Sequence, residues 1–238
     1  MPAPSPPHDP PEVLARIKEN LDLVDIVARQ LRRQMGPFVQ HEDLASSGRE
    51  ALLAAARSYD PDRGIPFRRW ANLRVRGAML ETMRQQGHLP KRVYAKVRAM
   101  RAADRVHEAA LEDVAAAPPG TPEAADAKLS EQLDSAAFAM ALSFLKMRGG
   151  EALERASDQR ESPEESVGRA ELVATVRAAI AERPDAERHL LERHYFDDVD
   201  FDDAAKELGL SKSWASRLHA RAIEAVAKTM KRDKIRRE

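Results

Sequence analysis

The chain has no cysteine. That excludes a disulfide scaffold, a thiolate metal site and a cysteine nucleophile together. No apolar stretch approaches the ~18 residues needed to cross a bilayer. Residues 1–11 are proline-rich, with no apolar segment of the kind that directs secretion, and are expected to be a disordered tail. A soluble, cytoplasmic protein without a membrane is therefore expected. Aromatic residues are scarce at 5%, and the seven histidines include no His-Glu-x-x-His motif and no i,i+4 pair. No metal site is expected from them. Neither a glycine-rich phosphate loop nor a nucleophile elbow occurs. No catalytic residue and no cofactor are expected, so the chain does not read as an enzyme.

What is abundant is charge, a third of all residues with a formal net charge of zero. The neutrality averages over opposing blocks. Residues 63–105 carry twelve Arg/Lys against Glu81 and Asp104 alone. Residues 106–171 carry fourteen Asp/Glu against six Arg/Lys, and residues 210–238 return to nine Arg/Lys against three acids. Two basic zones flanking an acidic one suit two contacts with a polyanion and one surface kept away from it. Ordinary charge patterning on helices is the plainer alternative.

Helical periodicity dominates throughout. Val13, Leu14, Ile17, Leu21, Val24, Val27 and Leu31 space a helix from residue 12 to about 35, which Gly36-Pro37 ends. Two further helices follow across residues 43–90. Asp43 is the expected N-cap of the first, and Pro61 and Gly64 supply the turn between them. In the second, Phe67, Ala71, Val75, Ala78 and Met79 make the core side. Arg69, Trp70, Arg76 and Arg84 lie on the other, with Leu73 and Leu80 among them. A tryptophan among arginines is either tucked against a neighbour or a stacking platform on a cationic track, as in single-strand binding.

Downstream, Tyr94, Val97, Met100, Val106 and Leu111 space a helix, Pro118-Pro119-Gly120 breaks the chain, and Thr121-Pro122 starts another helix. Residues 149–168 lack periodicity and read as a linker. Pro184 opens a helix carrying Leu190, Leu191 and Tyr195. From Phe201 to Ala222, Ala205, Gly209 and Ala215 take helix-turn-helix positions, with Ser211 capping the second helix. A generic helical hairpin is the alternative.

The string Asp43-Leu44, Gly48, Leu52, Tyr59-Asp60, Arg63-Gly64, Phe67, Trp70-Ala71 and Arg74-Val75-Arg76-Gly77-Ala78-Met79-Leu80 resembles the second conserved region of bacterial RNA polymerase sigma factors. The run Arg74–Glu81 is similar to the flagellar and sporulation group of alternative sigma factors. The helix-turn-helix pattern matches the last domain of the same family. The resemblance implies an all-α fold of three small helical domains joined by linkers. Residues 12–92 would be domain 2, 93–148 a domain 3-like segment, 149–168 a linker, and 169–238 the helix-turn-helix domain 4.

The resemblance also implies function. The chain would bind core RNA polymerase through its largest subunits, recognise the −10 and −35 elements of promoter DNA, and melt the duplex. Glu42, Asp43, Ser46, Ser47, Arg49 and Leu53 would meet the polymerase. Trp70 would stack on an extruded −10 base, with Arg69, Arg74, Arg76, Arg84, His88, Lys91 and Arg92 around the DNA. Lys212, Ser213, Trp214, Arg217, His219 and Arg221 would face the −35 element, with Arg221 and Lys228 on phosphates. Arg217 is the specificity candidate, because arginine reads guanine bidentately.

The chain departs from the family pattern in three places. Leu73-Arg74 stand where housekeeping sigma factors have paired tryptophans. Gly87-His88 replace the Asp-Trp common in the alternative group, and Trp214 and Arg217 stand where arginine and glutamine are usual. A cognate anti-sigma factor is a family expectation. Two other readings stay open: a sigma-derived decoy that holds polymerase but opens promoters poorly, and a stand-alone helix-turn-helix regulator.

Overall fold

The computed structural model describes residues 9–85, 89–145, 163–197 and 199–235. Among them every regular element is helical, as expected for an all-α protein. They divide into two compact units, residues 1–97 and 98–238. Gly87 and His88 lie outside the described residues, as do residues 1–8 and most of the expected linker.

The first unit contains α1 (Pro11–Glu19), α2 (Leu21–Met35), α3 (His41–Ser58) and α4 (Phe67–Gln85). The single helix expected over residues 12–35 is two. Asn20 separates them, its side-chain amide donating to the Arg16 carbonyl at 2.8 Å. Apolar spacing runs across this break, so periodicity alone could not show it. Gly36 ends α2 at φ 75°, a conformation glycine adopts without a Cβ clash. α3 begins at His41, so Asp43 sits inside its first turn and not at the N-cap. A carboxylate there still complements the positive end of the helix dipole.

The turn before α4 forms as its residues dictate. The Asp60 carboxylate accepts from the Asp62 backbone N–H at 3.0 Å, Gly64 takes φ 69°, and the Tyr59 hydroxyl donates to the Ile65 carbonyl at 2.7 Å. Leu23, Val27, Leu31, Leu44, Leu52, Ala71, Val75 and Met79 fill the core of this unit. At Gly48 a Cβ would lie 2.2 Å from the Met79 methyl and 2.9 Å from a Val24 methyl. Glycine there allows α2, α3 and α4 to approach one another.

The second unit contains most of α5 (Lys91–Ala116), then α6 (Pro122–Leu145), α7 (Pro163–Ala181), α8 (Asp185–Tyr195), α9 (Phe201–Glu207) and α10 (Lys212–Ile235). Thr121 caps α6 by accepting from the Ala124 N–H at 3.2 Å. α7 already begins at Pro163, inside the span expected to be linker. Asp200 caps α9, Gly209 turns the chain at φ 66°, and Ser211 accepts from the Trp214 N–H at 3.3 Å. Under the helix-turn-helix, Leu190, Phe201, Ala204, Ala205, Ala215 and Leu218 form a small core. A larger core joins Ala102 and Val106 of α5, Ala139 and Leu142 of α6, Val176 and Ile180 of α7, Leu191 and Tyr195 of α8, and Ile223 and Val226 of α10. Helices expected to fall on either side of a linker thus share one apolar interior.

Candidate nucleic-acid interface

In the first unit, α3 turns Glu42, Asp43, Ser46 and Arg49 outward on successive turns of one exposed face. Behind that face Ala45, Gly48 and Leu52 are buried. Ser47 donates its hydroxyl to the Leu44 carbonyl at 3.1 Å, and Leu53 is half-buried. The six residues assigned to polymerase contact therefore form one acidic-led strip, with Glu42, Asp43, Ser46 and Arg49 at its outer edge.

Trp70 is not on an open face. It is 8% exposed, and its indole Nε1 has no hydrogen-bond partner among the described residues. The Arg74 guanidinium sits 3.4 Å from its ring centroid and that of Arg63 sits 5.8 Å away. Leu80, placed by periodicity among the arginines, is fully buried. α4 packs against both α2 and α3, so its apolar side is wider than a single stripe. Arg69 is exposed, while Arg74 and Arg76 are half-buried. Arg84 is held by Glu81, with Nη2 to Oε1 at 2.6 Å. Lys91 and Arg92 stand exposed at the start of α5. Arg63, which sequence reasoning left out of the set, joins it through the turn that positions it over the indole.

In the second unit, the recognition candidates divide. Lys212, Ser213, Trp214, Arg217 and Arg221 are exposed on α10, Trp214 by 47% with Arg217 at 5.0 Å from its ring. His219 must be corrected. It is fully buried, its Nε2 hydrogen-bonded to the Tyr195 hydroxyl at 2.8 Å and its ring against Phe201. It supports the motif from within and does not face DNA. Burial pushes it down to about 3, and burial likewise holds His194 well below the usual histidine value, so both are neutral near pH 7.

Arg105 is a residue that sequence reasoning missed. Its buried guanidinium lies over the Phe201 ring at 3.7 Å and 3.3 Å from His194 Nε2, and desolvation lowers it to about 10. It fastens α5 beneath the helix-turn-helix. Nothing in its spacing distinguishes it from the surface arginines nearby. No cluster of metal-ligating side chains occurs among the described residues, and none of their helices is long and apolar enough to cross a membrane.

Two sequence families match the two places where these side chains gather. Sigma-70 region 2 matches residues 17–88, and Sigma-70 region 4 matches residues 179–228. The chain belongs to the sigma-70 family. It is an RNA polymerase sigma factor of the flagellar alternative group, serving promoter recognition and transcription initiation.

Among curated relatives, RNA polymerase sigma factor FliA of Pseudomonas aeruginosa is 37% identical over 93 residues. That match covers 39% of this chain and 38% of that protein. The RNA polymerase sigma-D factor of Bacillus subtilis is 25% identical, covering 78% of this chain and 76% of its own length. FliA of Escherichia coli K12 is 28% identical, covering 85% and 87%. The solved flagellar sigma/anti-sigma complex Sigma-28/FlgM aligns over 92% of this sigma factor and 96% of that chain, at 20% identity and a TM-score of 0.30.

Proposed function

We propose that this sigma factor binds core polymerase through the outer face of α3, opens the −10 element at Trp70, and reads the −35 element with the first turns of α10. The carrying observation is the setting of Trp70. An aromatic ring with one guanidinium against it and a second 5.8 Å from its centroid is a site where a base face can replace a cation face. The two interactions are of similar size, ~0.5–2 kcal/mol for a cation on an aromatic ring and ~1–3 kcal/mol for a stacked base. Exposed Arg69, Lys91 and Arg92 supply charge for the separated strand.

On the helix-turn-helix, Lys212, Ser213, Trp214 and Arg217 occupy the exposed start of α10, the part that enters a major groove. Arg221 and Lys228, further along, are placed for phosphates, which position a reader without specifying sequence. In this reading residues 12–92 serve polymerase and the −10 element, residues 169–238 serve the −35 element, and residues 93–148 pack against the latter through α5 and α6. The protein works in the cytoplasm beside polymerase, without catalysing a step itself, and a cognate anti-sigma factor follows from the flagellar resemblance.

The test is reconstitution. Purified sigma factor and core polymerase are incubated with genomic fragments, and transcript 5′ ends are mapped. Discrete starts sharing two upstream elements are expected. Binding to core without any transcript would instead favour the decoy, a reading that the covered Trp70 keeps in view. Tight sequence-specific DNA binding by the protein without polymerase would favour a stand-alone regulator.

A further inference from the structure

The acidic block between the two basic zones does more than stay clear of DNA. Glu112 of α5, largely buried, lies 3.7 Å from the Arg217 guanidinium and accepts from the Ser213 hydroxyl at 3.4 Å. Glu131 and Asp134, one turn apart on α6, pair with Lys228 and Lys231 of α10. Lys228 also meets Glu224 of its own helix at 2.6 Å. These contacts run from Ser213 to Lys231, about 27 Å of helix at 1.5 Å per residue. Three carboxylates thus lie along α10 as a row of anions.

Apolar packing holds this arrangement in register. Val106 of α5, Leu142 of α6 and Ile223 and Val226 of α10 share one core. The sequence separations are long, 101 residues for Ser213–Glu112 and 97 for Lys231–Asp134. The pairs therefore report tertiary packing and not local helix patterning.

We infer that Glu112, Glu131 and Asp134 form an internal DNA mimic that occupies the reading face of α10 in the free sigma factor and is displaced when that face meets promoter DNA. The inference rests on the proposed role of α10. Exposed ion pairs are individually weak. A phosphate backbone gains affinity by releasing condensed counterions and a carboxylate row does not, so DNA can displace it. Arg217, the specificity candidate, is held by the most buried of the three acids. The mimic thereby limits non-specific binding by the protein when it is away from polymerase.

The test measures binding of the full chain to a fluorescein-labelled mixed-sequence duplex by anisotropy across a salt series. A variant carrying Glu112→Gln, Glu131→Gln and Asp134→Asn is compared with a charge-matched control, Asp113→Asn, Glu123→Gln and Asp126→Asn. The control acids are exposed and lie on the same two helices. The first variant is expected to bind at least ~10-fold tighter than the control at low salt. Its log–log salt slope should be steeper by roughly 0.9 for each cation released to a phosphate. Adding Arg217→Ala, Lys228→Ala and Lys231→Ala should abolish the gain.

Equal binding by variant and control would overturn the mimic while leaving the α10 assignment standing. A gain that survives the α10 substitutions would overturn it too, since DNA would then be held elsewhere. Should Glu112→Gln lower the melting temperature, the double variant Glu131→Gln/Asp134→Asn carries the same comparison, because both acids are on the surface.

Discussion

The Arg74 guanidinium lies 3.4 Å from the ring centroid of Trp70, four residues earlier on the same helix. The ring assigned to base capture is therefore covered in the free protein, with one named side chain against it. The chain has only two tryptophans, so Trp214→Phe leaves Trp70 as the sole indole. In that background acrylamide should quench the emission poorly. Adding Arg74→Ala should raise quenching at least ~2-fold and shift the emission red, as expected when a cation worth ~0.5–2 kcal/mol leaves an aromatic face. Unchanged quenching would mean that the guanidinium does not shield the ring.

The exposed strip on α3 predicts a charge effect on polymerase binding. Replacing Glu42 and Asp43 by lysine leaves the buried side of the helix untouched. Affinity for core polymerase should fall by roughly 10-fold or more, about 1.4 kcal/mol, mostly through the association rate and less at high salt. Arg49→Glu is the informative companion. If the partner surface is basic, this variant should bind as well as the parent or better. Competition against a labelled sigma factor on core enzyme measures both.

Most caps and turns were legible because their chemistry is local, Asp43 being the exception. Thr121, Ser211 and Gly209 do in space what their residue types and neighbours indicate. The helix-turn-helix followed from three small residues, since Ala205 and Ala215 are buried where the two helices cross. What periodicity could not show is how many neighbours a helix has. Leu80 reads as solvent-side, and Trp70 as either tucked or open, because periodicity counts one stripe, yet α2 and α3 both pack on α4. His219 enters as a DNA contact through the resemblance, lying among exposed residues in sequence while pointing at Tyr195. Glu112 carried no local signal, because its partners are about a hundred residues away.

His219 also predicts a pH dependence. Its value in the folded protein, about 3, lies below the ordinary 6.5. Between those values the unfolded chain binds the proton and the folded one does not. Its contribution to stability is therefore complete above pH ~6.5 and declines as pH falls toward 3, by about 1.4 kcal/mol per pH unit at most. His194, shifted in the same direction, adds to that slope. Urea unfolding of the parent and of His219→Gln at several pH values between 6.5 and 4.5 should give a shallower dependence for the variant. Parallel curves would show that the ring is not the group responsible.

Gly48 is a packing prediction. A Cβ there would sit 2.9 Å from the Val24 side chain as well as against the mobile end of Met79. Gly48→Val should cost ~1–3 kcal/mol by overpacking, read as a lower urea midpoint for the first unit. Gly48→Ala should cost less, because the Met79 methyl can move aside and alanine favours helix by ~1 kcal/mol.

The most direct test of the account asks whether residue 70 needs an aromatic face. Trp70→Leu and Trp70→Tyr are each assembled with core polymerase on a mapped promoter, and permanganate reactivity of −10 thymines reports strand opening. Both variants should bind core like the parent. The tyrosine form should open the promoter and the leucine form should lose at least ~10-fold in open complex, matching ~1–3 kcal/mol for a stacked base. Equal reactivity from the leucine and tyrosine holoenzymes would contradict base capture by the residue 70 ring.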